Sequence, residues 1–72
     1  MENGTKLDLI VTHTNLFFPG VGNLTATIDL NQANEKLKGA KMTVEGNFVL
    51  LTIKARQYPI PLSNIALARV AK

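Results

Sequence analysis

Two segments of alternating apolar and polar residues flank the pair Gly46-Asn47, and no other feature of the sequence restricts the fold as strongly. The segments cover 40–45 and 48–56. Glycine and asparagine both tolerate positive φ, so the pair predicts a two-residue turn and hence a β-hairpin. One face of the second segment is continuously apolar and is predicted to lie in the core: Val49, Leu51, Ile53 and Ala55.

The same two-residue period recurs elsewhere and predicts strands at 6–13 and 23–30. In the first, one face carries Leu7, Leu9, Val11 and His13, and the other carries Lys6, Asp8, Ile10 and Thr12. In the second, the predicted inward residues are Leu24, Ala26, Ile28 and Leu30. One proline and two glycines within 15–23 predict a turn or loop. Residues 58–62 carry alternate prolines, which predict an edge strand because proline donates no ladder hydrogen bond.

Residues 31–38 have a different pattern. Asp29 or Asn31 can cap a first helical turn, and Gly39 can end the last one. The apolar residues Leu30, Ala33 and Leu37 have helical spacing. One short helix is therefore predicted near 31–38, and the C-terminal residues are predicted to form a last short strand or a turn of helix. The chain as a whole is predicted to be one α+β, mostly β domain over 1–72, with about five short, largely antiparallel strands in a small sheet or barrel.

The chain is short: 72 residues bury only about 60% of the surface that the unfolded form exposes. Cysteine is absent, so neither a disulfide nor a cysteine-bound metal can add stability. The 46% hydrophobic content is that of an ordinary globular domain, and a homodimer would bury more surface. The sequence shows no signal-peptide pattern and no apolar run near the ~18 residues of a membrane helix, which predicts a cytoplasmic protein without a membrane partner.

Groups that perform catalysis are few. The chain has one histidine, no cysteine and five carboxylates. His13 ends the first predicted strand and Asp8 falls on the opposite face, so the sequence predicts neither a catalytic pair nor a metal site there. Gly20-Val21-Gly22 lacks the third glycine, the following helix and the lysine of a phosphate-binding loop, and predicts a turn instead. The sequence therefore predicts a protein that is not an enzyme and has no cofactor.

The charges are distributed unevenly along the chain. The net charge is +3, but the first 35 residues hold one lysine against four carboxylates, whereas residues 36–72 hold seven cations against one carboxylate. This asymmetry indicates a polyanionic partner, either nucleic acid or an acidic protein surface; the alternative is a basic surface that only aids solubility. Lys54 and Arg56 are predicted to share one face of one strand. The predicted nucleic-acid-binding residues are Lys36, Lys38, Lys41, Lys54, Arg56 and Arg69.

Aromatic side chains are the second group predicted to contact a partner. Phe17 and Phe18 are adjacent in an extended stretch, so their rings point in opposite directions. Either one ring anchors the core and the other meets solvent, or both close the ends of a small core. Phe48 is either exposed or covered by the predicted helix, and an exposed ring beside cations can stack on nucleic-acid bases. The predicted partner-binding residues are Phe17, Phe18 and Tyr58.

Residues 48–70 read FVLLTIKARQYPIPLSNIALARV: a long strand, a tight basic turn, a short strand with tyrosine and proline, then a polar pair and isoleucine. This third of the chain resembles the closing hairpin of Sm-like small barrels, and the resemblance implies a small-barrel fold. The segment PLSNI also resembles the ending of many small phage-encoded proteins, several of which act by binding a host enzyme.

Two functions are predicted from these features. The first is a non-enzymatic binding module that contacts nucleic acid or a nucleoprotein machine through a basic face. The alternative is a phage-type accessory protein that binds a host protein such as RNA polymerase or a nuclease. It would use the loop at 17–23 and the edge strand at 58–62, which can serve as a template for strand pairing.

Overall fold

The computed structural model describes residues 2–32 and 35–72. Its strands are β1 (Lys6–Thr12), β2 (Leu16–Phe18), β3 (Gly22–Leu24), β4 (Thr27–Asp29), β5 (Lys41–Glu45), β6 (Phe48–Ile53), β7 (Arg56–Pro61) and β8 (Ile65–Val70). Two single turns of 3-10 helix cover Glu35–Leu37 and Leu62–Asn64. The described part of the chain is therefore mostly β, as the sequence predicts.

The main sheet is antiparallel and is organised around β1. Strand β8 pairs along the length of β1, whereas β5 pairs with its first residues and β4 with its later ones. The order continues from β5 to β6 and β7, and the sheet curls into a half-barrel. Strands β2 and β3 form a separate two-stranded hairpin. The C-terminal residues take the strand alternative of the sequence prediction.

The hairpin predicted at Gly46-Asn47 is confirmed. Glu45 pairs with Phe48 across the two-residue turn, and Gly46 has a φ of 60°. Asn47 is not at positive φ, so the turn needs glycine at its first central position, which is the pattern of a type II′ turn. The inward residues of β6 are buried as predicted, except for Ala55, which lies beyond the end of the strand.

The next turn comes earlier than the sequence predicts. Strand β6 ends at Ile53, which pairs with Arg56, and Lys54-Ala55 form the two-residue turn between them. Lys54 and Ala55 have φ of 49° and 68°, the left-handed conformation that a type I′ turn requires at both central positions. Lys54 and Arg56 are therefore not on one strand, and that prediction is wrong. Neither turn residue is a glycine or an asparagine, so the sequence gives no local signal for this turn.

The strand predicted at 23–30 is two strands. Strand β3 pairs with β2, and β4 pairs with β1, so the chain moves from one sheet to the other at 25–26. Two hydrogen bonds hold this crossing. The Ala26 N–H donates to the side-chain oxygen of Asn15 (Oδ1, 3.1 Å), and the Thr12 N–H donates to the Ala26 carbonyl (2.8 Å). Leu24 and Ile28 are both buried, so the predicted inward face is correct for both strands.

The helix predicted near 31–38 is not confirmed. Within the residues that the structure describes, this segment contains the single 3-10 turn Glu35–Leu37 and no α-helix; residues 33 and 34 lie outside the described residues. Leu37 is buried in the core, which explains the apolar spacing of the segment. In the described ranges there is also no helix of the length and apolarity needed to cross a bilayer.

The core is formed by side chains of the main sheet, of the β2–β3 hairpin and of the 3-10 turn at Glu35–Leu37. Its buried side chains are Leu7, Ile10, Phe18, Leu24, Ile28, Leu37, Met42, Val44, Val49, Leu51, Ile53 and Ile60. The pairing of β1 with β8 shifts register between Leu7 and Leu9, which marks a bulge or irregularity in the ladder. Leu7 and Ile10 are consequently both buried, and the two faces that strict alternation predicts for β1 are wrong.

Candidate functional site

The β2–β3 hairpin is closed by a turn whose conformation follows from the residues of the turn itself. The Val21 N–H donates to the Phe18 carbonyl at 2.9 Å, which closes a four-residue turn. Pro19 occupies its second position and Gly20, with a φ of +86°, its third. A type II turn favours proline and then glycine at these two positions, because the third position requires positive φ. The loop that the sequence predicts at 15–23 is therefore a defined hairpin.

The two adjacent phenylalanines of β2 have opposite environments. Phe18 is 7% exposed and stacks on Tyr58, with ring centroids 4.6 Å apart and planes at 28°. The Tyr58 hydroxyl also donates to the Pro19 carbonyl at 3.3 Å. Phe17 is 65% exposed and lies opposite Asn23 across the hairpin. One ring thus anchors the core and the other meets solvent, so the first of the two sequence alternatives applies.

Phe18 and Tyr58 were expected to bind a partner, and the structure gives both an internal contact. Phe18 is buried, and Tyr58 is half-buried against it. Together they attach the hairpin to β7 through a stacked pair and a hydrogen bond. Of the three predicted aromatic contacts, Phe17 is the one whose ring the structure leaves exposed.

Two cations lie against the two glycines of this hairpin. A methyl group in place of the Gly20 hydrogen would lie 3.4 Å from Arg56 Nη1, and one at Gly22 would lie 3.8 Å from Lys36 Nζ. An open depression of about 180 Å³ contains Lys54 and Arg56 together with Gly20. We call this depression the hairpin surface and define it by Gly20, Val21, Lys54 and Arg56.

The β6–β7 turn brings two of these cations to the hairpin. Arg56 is the first residue of β7, and Tyr58 is two positions later, so both side chains leave the same face of the strand. Because Tyr58 contacts the hairpin at Phe18 and Pro19, Arg56 is directed to the same element. Among the described residues, neither Lys54 nor Arg56 forms an ion pair.

Arg69 belongs to a different part of the surface. Its Nε donates to Asp8 Oδ1 at 2.7 Å and its Nη2 to Asp29 Oδ1 at 3.4 Å. Asn31 Nδ2 donates to the other Asp8 oxygen at 3.2 Å. The hydrogen bond from Arg69 lowers the pKa of Asp8, and the same bond raises the pKa of Arg69. Two carboxylates thus compensate the charge of Arg69, which the sequence predicts to bind nucleic acid together with five other cations.

Two further predicted cations each share an open depression with a carboxylate. Lys38 lines an open depression together with Glu35, and Lys41 lines a groove that also contains Asp8. The structure therefore brings together Lys54 and Arg56, and it places Lys36, Lys38, Lys41 and Arg69 in other surroundings. Phe48 is 44% exposed and pairs with Pro61, so it is not covered by a helix.

The free edge of β7 is occupied by proline. The Leu62 N–H donates to the Asn47 carbonyl at 2.9 Å. In an antiparallel pair every second residue does the same, so Ile60 and Tyr58 also turn their N–H and carbonyl groups towards β6. Pro59 and Pro61 consequently face the open edge, where they offer no N–H donor. Strand β7 is an edge strand as predicted, but it is a poor template for adding another strand.

The sequence did not predict that Arg56 approaches Gly20 or that Lys36 approaches Gly22. The signal for the turn was present in Pro19-Gly20, but the approach of Arg56 and Lys36 depends on contacts between distant parts of the chain. Comparison of the chain with protein-family models, with curated proteins and with solved structures gives no match. The hairpin surface is therefore interpreted from its own geometry.

Proposed function

We propose that this protein is a non-enzymatic binding module that contacts nucleic acid, or a nucleoprotein, through the hairpin surface. The observation that carries the proposal is the position of Arg56 against Gly20 of a tight hairpin, with Lys54 in the same open depression. A nucleic-acid partner is in keeping with the cytoplasmic location expected from the sequence.

The physical basis is release of counterions from phosphates. Each phosphate that a lysine or arginine neutralises contributes about −0.7 to −0.9 to the slope of log K against log salt concentration. Lys54 and Arg56 together therefore contribute about −1.4 to −1.8 to the expected slope. Backbone phosphates carry no sequence information, so the contact is expected to be largely independent of sequence.

The test is a fluorescence anisotropy titration with labelled DNA and RNA oligonucleotides at 50 to 200 mM salt. The double variant K54A/R56A is expected to bind roughly tenfold more weakly and to reduce the salt slope by about 2. The matched control is K6A/K41A, which removes the same charge from another groove and is expected to change affinity much less. Absence of binding, or equal losses in the two variants, would contradict the proposal.

A second function is favoured by one observation on the opposite face of the sheet. Phe48 is exposed and lies beside Pro61, in a row that continues to Leu50 and Pro59 on the same face. An accessory protein that binds a host protein such as RNA polymerase or a nuclease would use this apolar row as its contact. Capture of a stoichiometric protein that resists nuclease, and that F48A abolishes while K54A/R56A does not, would support this function over the first.

A further inference from the structure

Three strands of the main sheet, β4, β7 and β8, each pair with one neighbour in the part of the chain that the structure describes, so each has an open edge. Proteins protect such edges with very short strands, proline or charge, because an open edge can pair with another chain. Strand β4 has three residues, and β7 turns Pro59 and Pro61 outwards. Strand β8 has six residues and no proline.

We infer that β8 pairs antiparallel with β8 of a second copy of this chain, which makes the protein a homodimer about a two-fold axis. The partner is a second copy because the pairing needs another long edge without proline, and β8 is the strand of this chain that offers one. The inference goes beyond the proposed function and does not rest on it, because β8 supplies no residue to the hairpin surface.

The backbone of β8 presents donors and acceptors at its open edge. The Ala71 N–H donates to the Lys6 carbonyl at 2.9 Å, so Ala71 faces β1. Alternate residues of a strand direct their N–H and C=O groups to opposite sides. Arg69 therefore also faces β1, whereas Ala68 and Val70 direct their N–H and C=O groups outwards. A second antiparallel β8 offers the same groups at the same spacing, so the two edges can exchange hydrogen bonds.

The side chains of β8 also fit an interface. Leu67 and Val70 lie on opposite faces of the strand, and both are more than half exposed. The one charged residue of β8 is Arg69, and Asp8 and Asp29 compensate its charge. Two copies can therefore meet along β8 without bringing uncompensated charges of this strand together, although each chain has a net charge of +3.

The outward groups select one register for this pairing. A two-fold axis between two antiparallel copies places one residue opposite its own copy. Centring on Arg69 would place like charges opposite each other, and centring on Val70 would leave Leu67 outside the pairing. Centring on Leu67 would rely on Ala66 for its central hydrogen bonds, and the register of β8 against β1 shifts at Ala66. Ala68 is therefore the residue on the axis, which places Leu67 of each chain opposite Arg69 of the other.

The first experiment measures the mass of the full chain by sedimentation at about 10 to 500 μM, because one strand pair buries less than the roughly 1,200–2,000 Å² of a stable interface and associates weakly. The wild type is expected to pass from 7.8 kDa to twice that mass as the concentration rises. A68P removes an outward N–H on each copy and is expected to weaken dimerisation roughly 5- to 100-fold. L67K leaves the backbone intact, places a lysine opposite Arg69 of the second copy, and is also expected to weaken the dimer.

The matched control is F48K, which makes the same charge change at another exposed apolar residue and is expected to dimerise as the wild type does. K54A/R56A is also expected to dimerise normally, so dimerisation and nucleic-acid binding are separate readouts. A wild type that stays monomeric would overturn the inference alone and would leave the edge to a strand of another protein. Equal weakening by L67K and F48K, or species larger than a dimer, would overturn it as well, because pairing of β8 with β7 would propagate from copy to copy.

The second experiment uses the absence of cysteine from the chain. A68C introduces one thiol on the proposed axis, where the two Cα atoms would lie about 5.5 Å apart, a separation that a disulfide can bridge. Mild oxidation is expected to convert A68C to a covalent dimer. The matched variant is V70C on the same open edge, which would lie four residues, or about 13 Å, out of register with its own copy and is expected to stay uncrosslinked. Equal cross-linking of the two variants, or none in A68C, would overturn the inference.

Discussion

The two turns that flank β6 both have two central residues, but they differ in the type of residue at positive φ. Gly46-Asn47 places a glycine at its one positive φ, whereas Lys54-Ala55 places two residues with side chains in the left-handed region. The left-handed conformation costs a residue with a β-carbon roughly 1–2 kcal/mol of conformational free energy. The glycine turn lies away from the hairpin surface, and the strained turn supplies Lys54 to it. The difference indicates that stability was not the sole determinant of the residues at 54–55.

The largest loss of stability is expected from replacing Phe18, which stacks on Tyr58 of the strand that follows the strained turn. F18A removes a buried ring and its stacking on Tyr58, and it is expected to lower the free energy of unfolding by about 3–5 kcal/mol. F48A, beside the glycine turn, removes an exposed ring and is expected to cost less than about 1 kcal/mol. Urea denaturation measures both. Similar losses in the two variants would show that the hairpin contributes little to the core.

A smaller effect is expected when the glycine turn is given a side chain. G46A puts a β-carbon at a φ of 60° in open space, so conformational strain is the cost that the structure predicts, about 1–2 kcal/mol. The comparison of the two turns requires that this substitution destabilise the protein. Thermal and urea unfolding of G46A at neutral pH test this requirement, and an unchanged midpoint would remove the basis of the comparison.

The converse substitution is expected to stabilise the protein. A55G relieves the left-handed strain at a φ of 68° and is expected to raise the free energy of unfolding by about 0.5–1 kcal/mol, after allowance for the greater chain entropy of glycine. Lys54 and Arg56 remain, so oligonucleotide affinity should stay unchanged. A loss of stability in A55G would mean that the turn is not strained, and a loss of affinity would mean that Ala55 itself belongs to the contact.

The smallest effect concerns the Asp8–Arg69–Asp29 cluster, which involves neither turn. The pKa of Asp8 is lowered from 3.8 in the folded protein by Arg69, so the stabilisation is complete above that value and is lost as the pH falls through the lower folded value. D8N is expected to have a lower melting temperature than the wild type at pH 6 and to show a smaller further decrease below pH 4. Parallel melting curves for the two proteins over this pH range would exclude a role of the pair in stability.

How far the sequence could predict the site differs from residue to residue. The Pro19-Gly20 turn and the exposure of one of two adjacent rings follow from local rules. Which ring is exposed depends on Tyr58, which lies 40 residues further along the chain and stacks on Phe18. The prediction that Arg69 belongs to a basic face missed its two carboxylate partners. These partners lie on β1 and β4, far from Arg69 in the sequence, so no local pattern shows them.

Local sequence patterns were enough to predict the features that arise within a few residues: the hairpin at Gly46-Asn47, the buried face of β6 and the proline edge of β7. Alternation and turn chemistry encode these because they act through neighbouring backbone and side chains. Three features became visible in the folded chain alone: where 23–30 divides, how the bulge changes the faces of β1, and which cations approach the β2–β3 hairpin. The physical reason is that each of these depends on which distant strand is paired alongside, and a local pattern shows that two faces differ without showing what covers either of them.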